Sequence, residues 1–211
     1  MRRVIQILFV LIIIVLGYLI VESIMEPIRF NKEVDIREKA TINRLIDIRE
    51  AQKAYKDVYK KYTGSFDTLI AFVDTGSFIV TKAIGDIPED WLDEMGFEKA
   101  REKALNEGII SREAITVPVL DSLFGPQFAL DSLRFVPYTE GVTFTMTAGQ
   151  LLTSSNLTVQ VVEAYTMFDD LLNGLDRQLI ANYKDERMKI VGFEGVKFGS
   201  MEEGTLTGNW E

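Results

Sequence analysis

The chain has 211 residues but contains no cysteine and no histidine. Without cysteine it forms neither disulfides nor thiolate–metal bonds, so its folding does not depend on the redox state of its compartment. Without histidine it lacks the commonest general base and the commonest zinc ligand. Both absences argue against catalysis, and the sequence predicts a protein that is not an enzyme and has no cofactor or metal.

Familiar catalytic and ligand-binding motifs are also missing. The sequence has no G-x-x-x-x-G-K-[ST] or G-x-G-x-x-G motif for nucleotides and no D-x-D-x-D-G calcium loop. No S-x-x-K or G-x-S-x-G motif nominates a serine nucleophile. Acidic residues are so numerous that neighbours such as Asp169 and Asp170 indicate a solvated surface. A carboxylate-dependent hydrolase is therefore a third hypothesis that only generic acids support.

Positive charge is scarce after the first third of the chain. Residues 1–62 carry 12 Lys+Arg against 8 Asp+Glu, a net charge of +4, whereas residues 63–211 carry 11 against 24, a net charge of −13. An acidic region repels phosphate backbones, because nucleic-acid binding depends on Lys and Arg that neutralise phosphates. We predict no nucleic-acid partner, and the sequence identifies no small-molecule substrate.

A long hydrophobic run opens the chain. Between Val4 and Val21 the only strongly polar side chain is Gln6. Eighteen helical residues reach about 27 Å, close to the roughly 30 Å hydrocarbon core of a bilayer. The run is longer than the core of a signal peptide, and no Ala-x-Ala-like cleavage site follows it. It predicts an uncleaved transmembrane anchor, with a cleaved signal as the alternative.

The charges on either side of this run predict its orientation. Arg2 and Arg3 precede it, and Glu22 and Glu26 follow it. The positive-inside rule then keeps the amino terminus in the cytoplasm. We predict a bacterial inner-membrane protein that crosses the membrane once, with its C-terminal domain in the periplasm.

The rest of the chain divides into a predicted stalk and a predicted domain. Residues 1–26 are the anchor and its flank, residues 27–62 a stalk helix, and residues 63–211 an extracytoplasmic α+β domain. Pro27 predicts an interruption or bend in any helix that leaves the membrane. Residues 31–62 contain neither Gly nor Pro and have apolar residues at three- and four-residue steps, which predicts one amphipathic helix. We expect its charged part, residues 31–39, to stand in solvent.

The pattern after residue 62 predicts short helices and an antiparallel sheet. Gly64 suits the left-handed terminus of the long helix, and Asp86 or a neighbour is expected to cap a later one. The fold class is α+β, with a transmembrane helix, a long amphipathic helix, and an antiparallel sheet with additional helices. The predicted helices cover residues 66–75, 86–107 and 168–184, and the predicted strands residues 77–83, 109–120, 133–138, 142–147, 157–165, 188–193, 196–198 and 205–210.

The order of these elements resembles a known superfamily. The segment from Ile48 to Tyr55, followed by the turn at Thr63-Gly64-Ser65 and by Phe66 to Leu69, is similar to the helix end and turn of pilin-like proteins. The anchor, helix and sheet together resemble type IV pilins and type II secretion pseudopilins. Residues 1–70 are also similar to uncharacterised single-pass bacterial envelope proteins. The resemblance implies a subunit that assembles with other subunits.

One local pattern of that superfamily occurs in an unusual place. Prepilins share a Gly before the cleavage point, an aromatic residue after it and a Glu at the fifth mature position, and Gly17, Tyr18 and Glu22 reproduce this spacing. Here the apolar helix precedes Gly17, so cleavage would discard nearly the whole anchor. We expect a pilin-like domain on a permanent anchor.

The leading hypothesis is a non-enzymatic scaffold or pilin-like subunit of a secretion, pilus-like or envelope-spanning assembly. The apolar stripe of the long helix either packs on the protein's own sheet or mediates self-association. Tyr55, Val58, Tyr59 and Tyr62 are the residues that we expect to contact partners. The alternative is a membrane-tethered ligand-binding or sensory module, in which the sheet and residues 168–183 enclose a pocket.

Overall fold

A computed structural model describes residues 2–211, except for the side chains of residues 2–5, 79–84 and 111–115. Its first element is helix α1, Arg2–Tyr59, which has 58 residues and is therefore about 87 Å long. The remaining elements are α2 (Phe66–Thr75), β1 (Ser77–Ile84), α3 (Glu89–Met95), α4 (Phe97–Asn106), β2 (Ser111–Pro118), α5 (Val119–Leu123), a 3₁₀ helix (Leu130–Arg134), β3 (Thr145–Leu152), β4 (Thr158–Met167), α6 (Phe168–Leu171), α7 (Arg177–Val191) and β5 (Gly195–Gly199). The fold class is α+β, as predicted.

Helix α1 passes through Pro27 without a break, so the predicted interruption is wrong. Proline removes the amide that would bond the Ser23 carbonyl. Ser23 is exposed, so this carbonyl is not stranded in an apolar interior. Glu22 and Arg29 form an ion pair that spans the proline along the helix. The apolar segment and the following residues are therefore one continuous helix.

The surroundings of α1 change at Phe30. Nearly every described residue before it is exposed, whereas from Phe30 onward one face of the helix is buried. The Phe30 ring lies 6.3 Å from the Tyr183 ring of α7. Val34 is also buried, so the expectation that residues 31–39 stand in solvent is wrong for this face. Most of the buried residues of α1 lie three, four or seven positions apart and so share one face: Phe30, Val34, Thr41, Leu45, Ile48, Ala51, Gln52, Ala54 and Tyr55.

Strands β3, β4 and β5 form a three-stranded antiparallel sheet against which α1 packs. Thr145 pairs with Tyr165 at one end of β3, and Leu152 pairs with Thr158 at the other. The turn between them contains Asn156, which has a φ of 58°, as Asn tolerates. Strand β5 pairs with the end of β4, and α6 and α7 connect the two. The predicted antiparallel sheet is confirmed, but the strand predicted at residues 142–147 begins at Thr145 and extends to Leu152.

Strands β1 and β2 form a separate two-stranded ribbon that carries α3 and α4 between its strands. Ser77 pairs with Pro118 at its base, and Ile84 pairs with Ser111 at its far end. We call residues 77–118 the arm. At its base, the Val119 amide donates to the Gly76 carbonyl at 3.0 Å. The arm has its own small cluster of buried residues, namely Ala100, Ala104 and Ile110.

Local signals explain where two of the helices begin and end. The Ser65 hydroxyl accepts the Thr68 amide at the start of α2, and the Gly76 amide donates to the Phe72 carbonyl at its end. Asp176 caps α7 by accepting the Leu179 amide at 2.9 Å. The predicted bounds of α2 are confirmed.

Several local predictions are wrong. Residues 133–138 hold part of the 3₁₀ helix and one isolated bridge rather than a strand, and residues 188–191 continue α7 rather than forming a strand. Residues 205–210 lie along β5 with one bridge only. Lys60, not Gly64, has the left-handed backbone after α1. Pro88 precedes α3 without a side-chain cap, so Asp86 is not its cap.

Candidate interaction surface

An aromatic groove lies where the end of α1 meets α2. The Tyr55 ring is 4.6 Å from that of Tyr59 and 5.2 Å from that of Phe72, and the rings of Tyr59 and Phe72 are 5.7 Å apart. Tyr59 is 53% exposed. The groove has a volume of about 480 Å³ and is lined by Tyr55, Tyr59, Asp67, Thr68, Ala71, Phe72 and Thr75. We call it the aromatic groove.

Gln52 holds the two sides of this groove together from inside. It is fully buried, and its side-chain amide donates to the Thr63 carbonyl at 2.6 Å and accepts the Thr63 amide at 3.1 Å. The same nitrogen lies 3.1 Å from the sulfur of Met146 on β3. A buried polar side chain with both functions bonded fixes the direction in which the chain leaves α1. This fixes where α2 lies on α1.

The four residues predicted to contact partners lie close together but in different surroundings. Tyr55 and Tyr59 line the aromatic groove. Val58 is 43% exposed beside it. Tyr62 is buried, and its hydroxyl lies 3.3 Å from the Lys56 ammonium. Tyr59 and Val58 are the members accessible to another molecule, and the role of all four in partner binding stays a prediction.

Sequence reasoning missed the α2 side of the groove. Phe72 supplies its floor, and Thr68 and Thr75 its rim. In a helix over residues 66–75, the sequence spacing predicts an apolar face made of Phe66, Leu69, Ile70 and Val73, and Phe72 is not part of that face. A pairing between Tyr55 and Phe72 across a turn has no local sequence signal, because it depends on how the two helices cross.

A second group of polar residues joins α7 to α1. The Tyr183 hydroxyl donates to Glu38 at 2.7 Å, and Arg187 donates to the same carboxylate at 3.0 Å. Burial, followed by the hydrogen bond to Glu38, raises the pKa of Tyr183 far above its ordinary value. Both partners hydrogen-bond the Glu38 carboxylate. These three residues therefore form a structural link that holds α7 against α1, rather than a proton-transfer site.

Two clefts adjoin the loop between α6 and α7. One, of about 430 Å³, contains Lys184 and Arg177, and the other, of about 500 Å³, contains Arg37 and Tyr138. They share Asn173 and Gly174. No residue of the three-stranded sheet lines either cleft, so neither cleft is the predicted pocket between the sheet and residues 168–183.

Two of the cations in these clefts already have partners. Lys184 binds Asp169 at 2.5 Å and Glu194 at 3.1 Å. Arg37 binds Glu33 at 2.9 Å and donates to the Leu171 and Asn173 carbonyls at 3.1 Å. Such paired groups would have to break these contacts before they could bind an anionic ligand. In the described part of the chain, carboxylates form no group of three that could hold a metal.

The first half of α1 is the remaining surface of note. Its apolar side chains from Ile7 to Val21 are exposed, and one described helix is long and apolar enough to cross a membrane. Exposed apolar patches of this extent are rare on monomeric soluble proteins. The chain therefore has a long apolar N-terminal helix that is consistent with a transmembrane helix.

Comparisons of the whole chain with protein-family models, with curated proteins and with solved structures find no match.

Proposed function

We propose that the chain is a non-enzymatic, single-pass protein of the bacterial inner membrane that serves as a subunit or scaffold of an envelope assembly. The observation that carries the proposal is the division of α1 into an exposed apolar half and a half that forms the core of a domain. A bilayer would bury the first half and place the domain outside it. The Arg2 and Arg3 charges favour a cytoplasmic amino terminus and a periplasmic domain.

A pilin-like subunit is the form of assembly that we propose. The support is the order of an exposed apolar helix half, a packed half and a following antiparallel sheet of three strands. The aromatic groove near the far end of α1 offers a contact surface about 50 Å along the helix from Glu26. A secretion, pilus-like or envelope-spanning complex would use such a surface to hold neighbouring subunits.

Membrane extraction tests the anchor. In the variant Leu11→Lys with Ile14→Lys, each lysine at the centre of the apolar run costs about 2.5–3.5 kcal/mol of insertion free energy. We expect the natural chain to resist alkaline extraction from membranes and the variant to be released. The variant Leu11→Ile with Ile14→Leu is the matched control and should resist extraction. Release of the natural chain by alkaline extraction would contradict the proposal that this run anchors the protein in the membrane.

Crosslinking in intact membranes tests the assembly. A lysine-reactive crosslinker should reach the exposed Lys53, Lys60 and Lys61. We expect crosslinked species larger than one chain, and their absence at every crosslinker concentration would remove the assembly role. Protease added to spheroplasts should degrade residues 30–211, whereas their protection would contradict the periplasmic location.

A tethered ligand-binding module is the second candidate. The two adjoining clefts that share Asn173 and Gly174 favour it. Thermal shift measurements with peptidoglycan fragments, sugars and divalent ions would test it. A rise in the melting temperature that Asn173→Leu removes would support binding there, and uniformly flat responses would count against it.

A further inference from the structure

The loop between α6 and α7 holds an asparagine followed directly by a glycine. Asn173 is the only asparagine of the chain that precedes a glycine, and both residues are exposed. Gly174 has a φ of 89°, and a Cβ added there would meet no atom within 4 Å. Because glycine has no Cβ, the side chain of the following residue does not shield the Gly174 amide nitrogen from the Asn173 side chain.

The two groups that would have to react are both free of other contacts. Among the described residues, the Asn173 side-chain amide forms no hydrogen bond, and the Gly174 amide donates to no acceptor. Helix α6 ends at Leu171, and the Leu175 amide donates to the Leu172 carbonyl at 3.1 Å across the loop. A free amide nitrogen next to a free carboxamide is the arrangement from which a cyclic imide forms.

Arg37 of α1 holds a third group, the main-chain carbonyl of Asn173. Its guanidinium donates to the carbonyl oxygens of Asn173 and Leu171, each at 3.1 Å. It also pairs with Glu33 at 2.9 Å, and its side chain is only 15% exposed. These contacts fix the guanidinium beside the Asn173 carbonyl. A fixed cation beside a carbonyl oxygen stabilises negative charge that develops on that oxygen.

We propose that Asn173 and Gly174 form a self-modifying site, at which Arg37 directs the reaction to an isoaspartyl product. The Gly174 nitrogen bonds to Cγ of Asn173, and the bond between Cγ and Nδ2 breaks. The proton of the Gly174 amide passes to the leaving Nδ2, which departs as ammonia. The product is a five-membered cyclic imide, and water is the only other reactant that the sequence of steps consumes.

Water can open this imide at either of its two carbonyl carbons. Attack at Cγ gives an ordinary aspartate, whereas attack at the main-chain carbonyl carbon of residue 173 gives isoaspartate, in which the chain runs through Cβ and Cγ. Arg37 already contacts the oxygen of the main-chain carbonyl, so it stabilises the oxyanion that forms by attack there. That oxygen then belongs to the new carboxylate, which Arg37 binds more strongly than the original carbonyl.

The modification changes the two clefts beside the loop, because both are lined by Asn173. Either product replaces a neutral amide with a carboxylate. The cleft that contains Arg37 also contains Glu140 and Asp170, so its lining becomes more acidic. The isoaspartyl product in addition lengthens the main chain between α6 and α7 by one methylene group. This inference goes beyond the proposed anchor and assembly role and does not depend on either.

Peptide mass spectrometry of the aged full-length protein tests the site. The purified chain is incubated in detergent at mildly alkaline pH, in water enriched in heavy oxygen, which labels each opened imide. We expect Asn173 to deamidate about tenfold faster than Asn156, a difference of about 1.4 kcal/mol in activation free energy. Asn156 is the matched internal control, because it is also exposed in a turn but the following Leu157 amide donates to the Thr153 hydroxyl at 3.2 Å. Equal rates would overturn the site.

The ratio of isoaspartate to aspartate at residue 173 tests the role of Arg37. A synthetic peptide of residues 168–180 gives the ratio without Arg37, and we expect the folded chain to exceed it about threefold. Arg37→Gln should return the ratio to that of the peptide, and Arg37→Lys, which keeps the charge, should retain part of the excess. Arg177→Gln is the matched control, because Arg177 is an exposed arginine of the neighbouring cleft, and should keep the natural ratio.

The two parts of the proposal fail in distinguishable ways. Fast deamidation of Asn173 with equal product ratios in the folded chain and the peptide would overturn the role of Arg37 but leave the site. Circular dichroism checks that Arg37→Gln is folded, and the comparison of the natural chain with the peptide decides the role of Arg37 even where that variant is not.

Discussion

The two halves of α1 share a backbone but have opposite surroundings. In the first, leucine, isoleucine and valine side chains are exposed all round the helix. In the second, one face is fully buried against α2, α7 and the sheet, while the other face carries charges. An apolar residue therefore contributes to domain stability in one half only. Hydrophobicity alone therefore does not locate a protein core, because the surrounding elements decide what each half of the helix buries.

Truncating one large apolar residue in each half of α1 should change the free energy of unfolding most. Leu45 is fully buried, and Leu45→Ala should lower the free energy of unfolding by about 2–5 kcal/mol. Ile13 is exposed, and Ile13→Ala should change it by less than about 0.5 kcal/mol. Chemical denaturation of the full chain in detergent, followed by near-ultraviolet circular dichroism, measures both. Equal losses would break the distinction between the halves.

A smaller effect is expected from the two glutamines of α1. Gln52→Leu leaves the buried Thr63 amide and carbonyl without partners, and we expect a loss of about 2–3 kcal/mol. Gln6 lies in the exposed half, and Gln6→Leu should leave the domain unchanged. The same denaturation measurement applies. A neutral Gln52→Leu would show that the turn after α1 is held by something other than these bonds.

The smallest effect concerns the contact between α7 and the buried half. Tyr183→Phe removes the hydroxyl that donates to Glu38, with an expected loss of about 1 kcal/mol. Tyr138 is exposed, and Tyr138→Phe is the control. Because the pKa of Tyr183 is raised on folding, its contribution is complete below the ordinary tyrosine pKa of about 10 and is lost as the pH rises above it.

Measurement of the free energy of unfolding from neutral to alkaline pH checks the sign of this effect. The natural chain should lose stability above pH 10 more steeply than Tyr183→Phe does. Parallel curves for the two proteins would contradict a raised pKa in the folded state.

Elements with local signals could be predicted from the sequence. Helix α2 has a serine cap and a terminal glycine, and β4 follows the turn at Asn156. The alternating residues 142–147 overlap β3 only at residues 145–147. The apolar run at the start of α1 likewise predicts a long apolar helix from its own residues. In each case neighbouring residues alone carry the signal, so no distant contact was needed to find the element.

Elements that depend on distant contacts could not be predicted. Leu133 and Val136 are the buried residues of their segment, and a spacing of three fits a helical turn rather than a strand. Met188 and Ile190 suggest a strand, yet both are exposed, and α7 continues until Gly192 adopts a φ of 72°. The aromatic groove was half predicted, since Tyr55 and Tyr59 were identified but Phe72 was not.

Because α1 continues through Pro27 without a break, a tilt of its apolar half also moves its far end. In the proposed anchored state, about 57 Å of it extends past Val21 toward Tyr59. A tilt of about 20°, ordinary for a membrane helix, would carry that far end roughly 20 Å sideways. Bilayer thickness, which adjusts tilt, would then set how far apart the outer ends of neighbouring molecules stand.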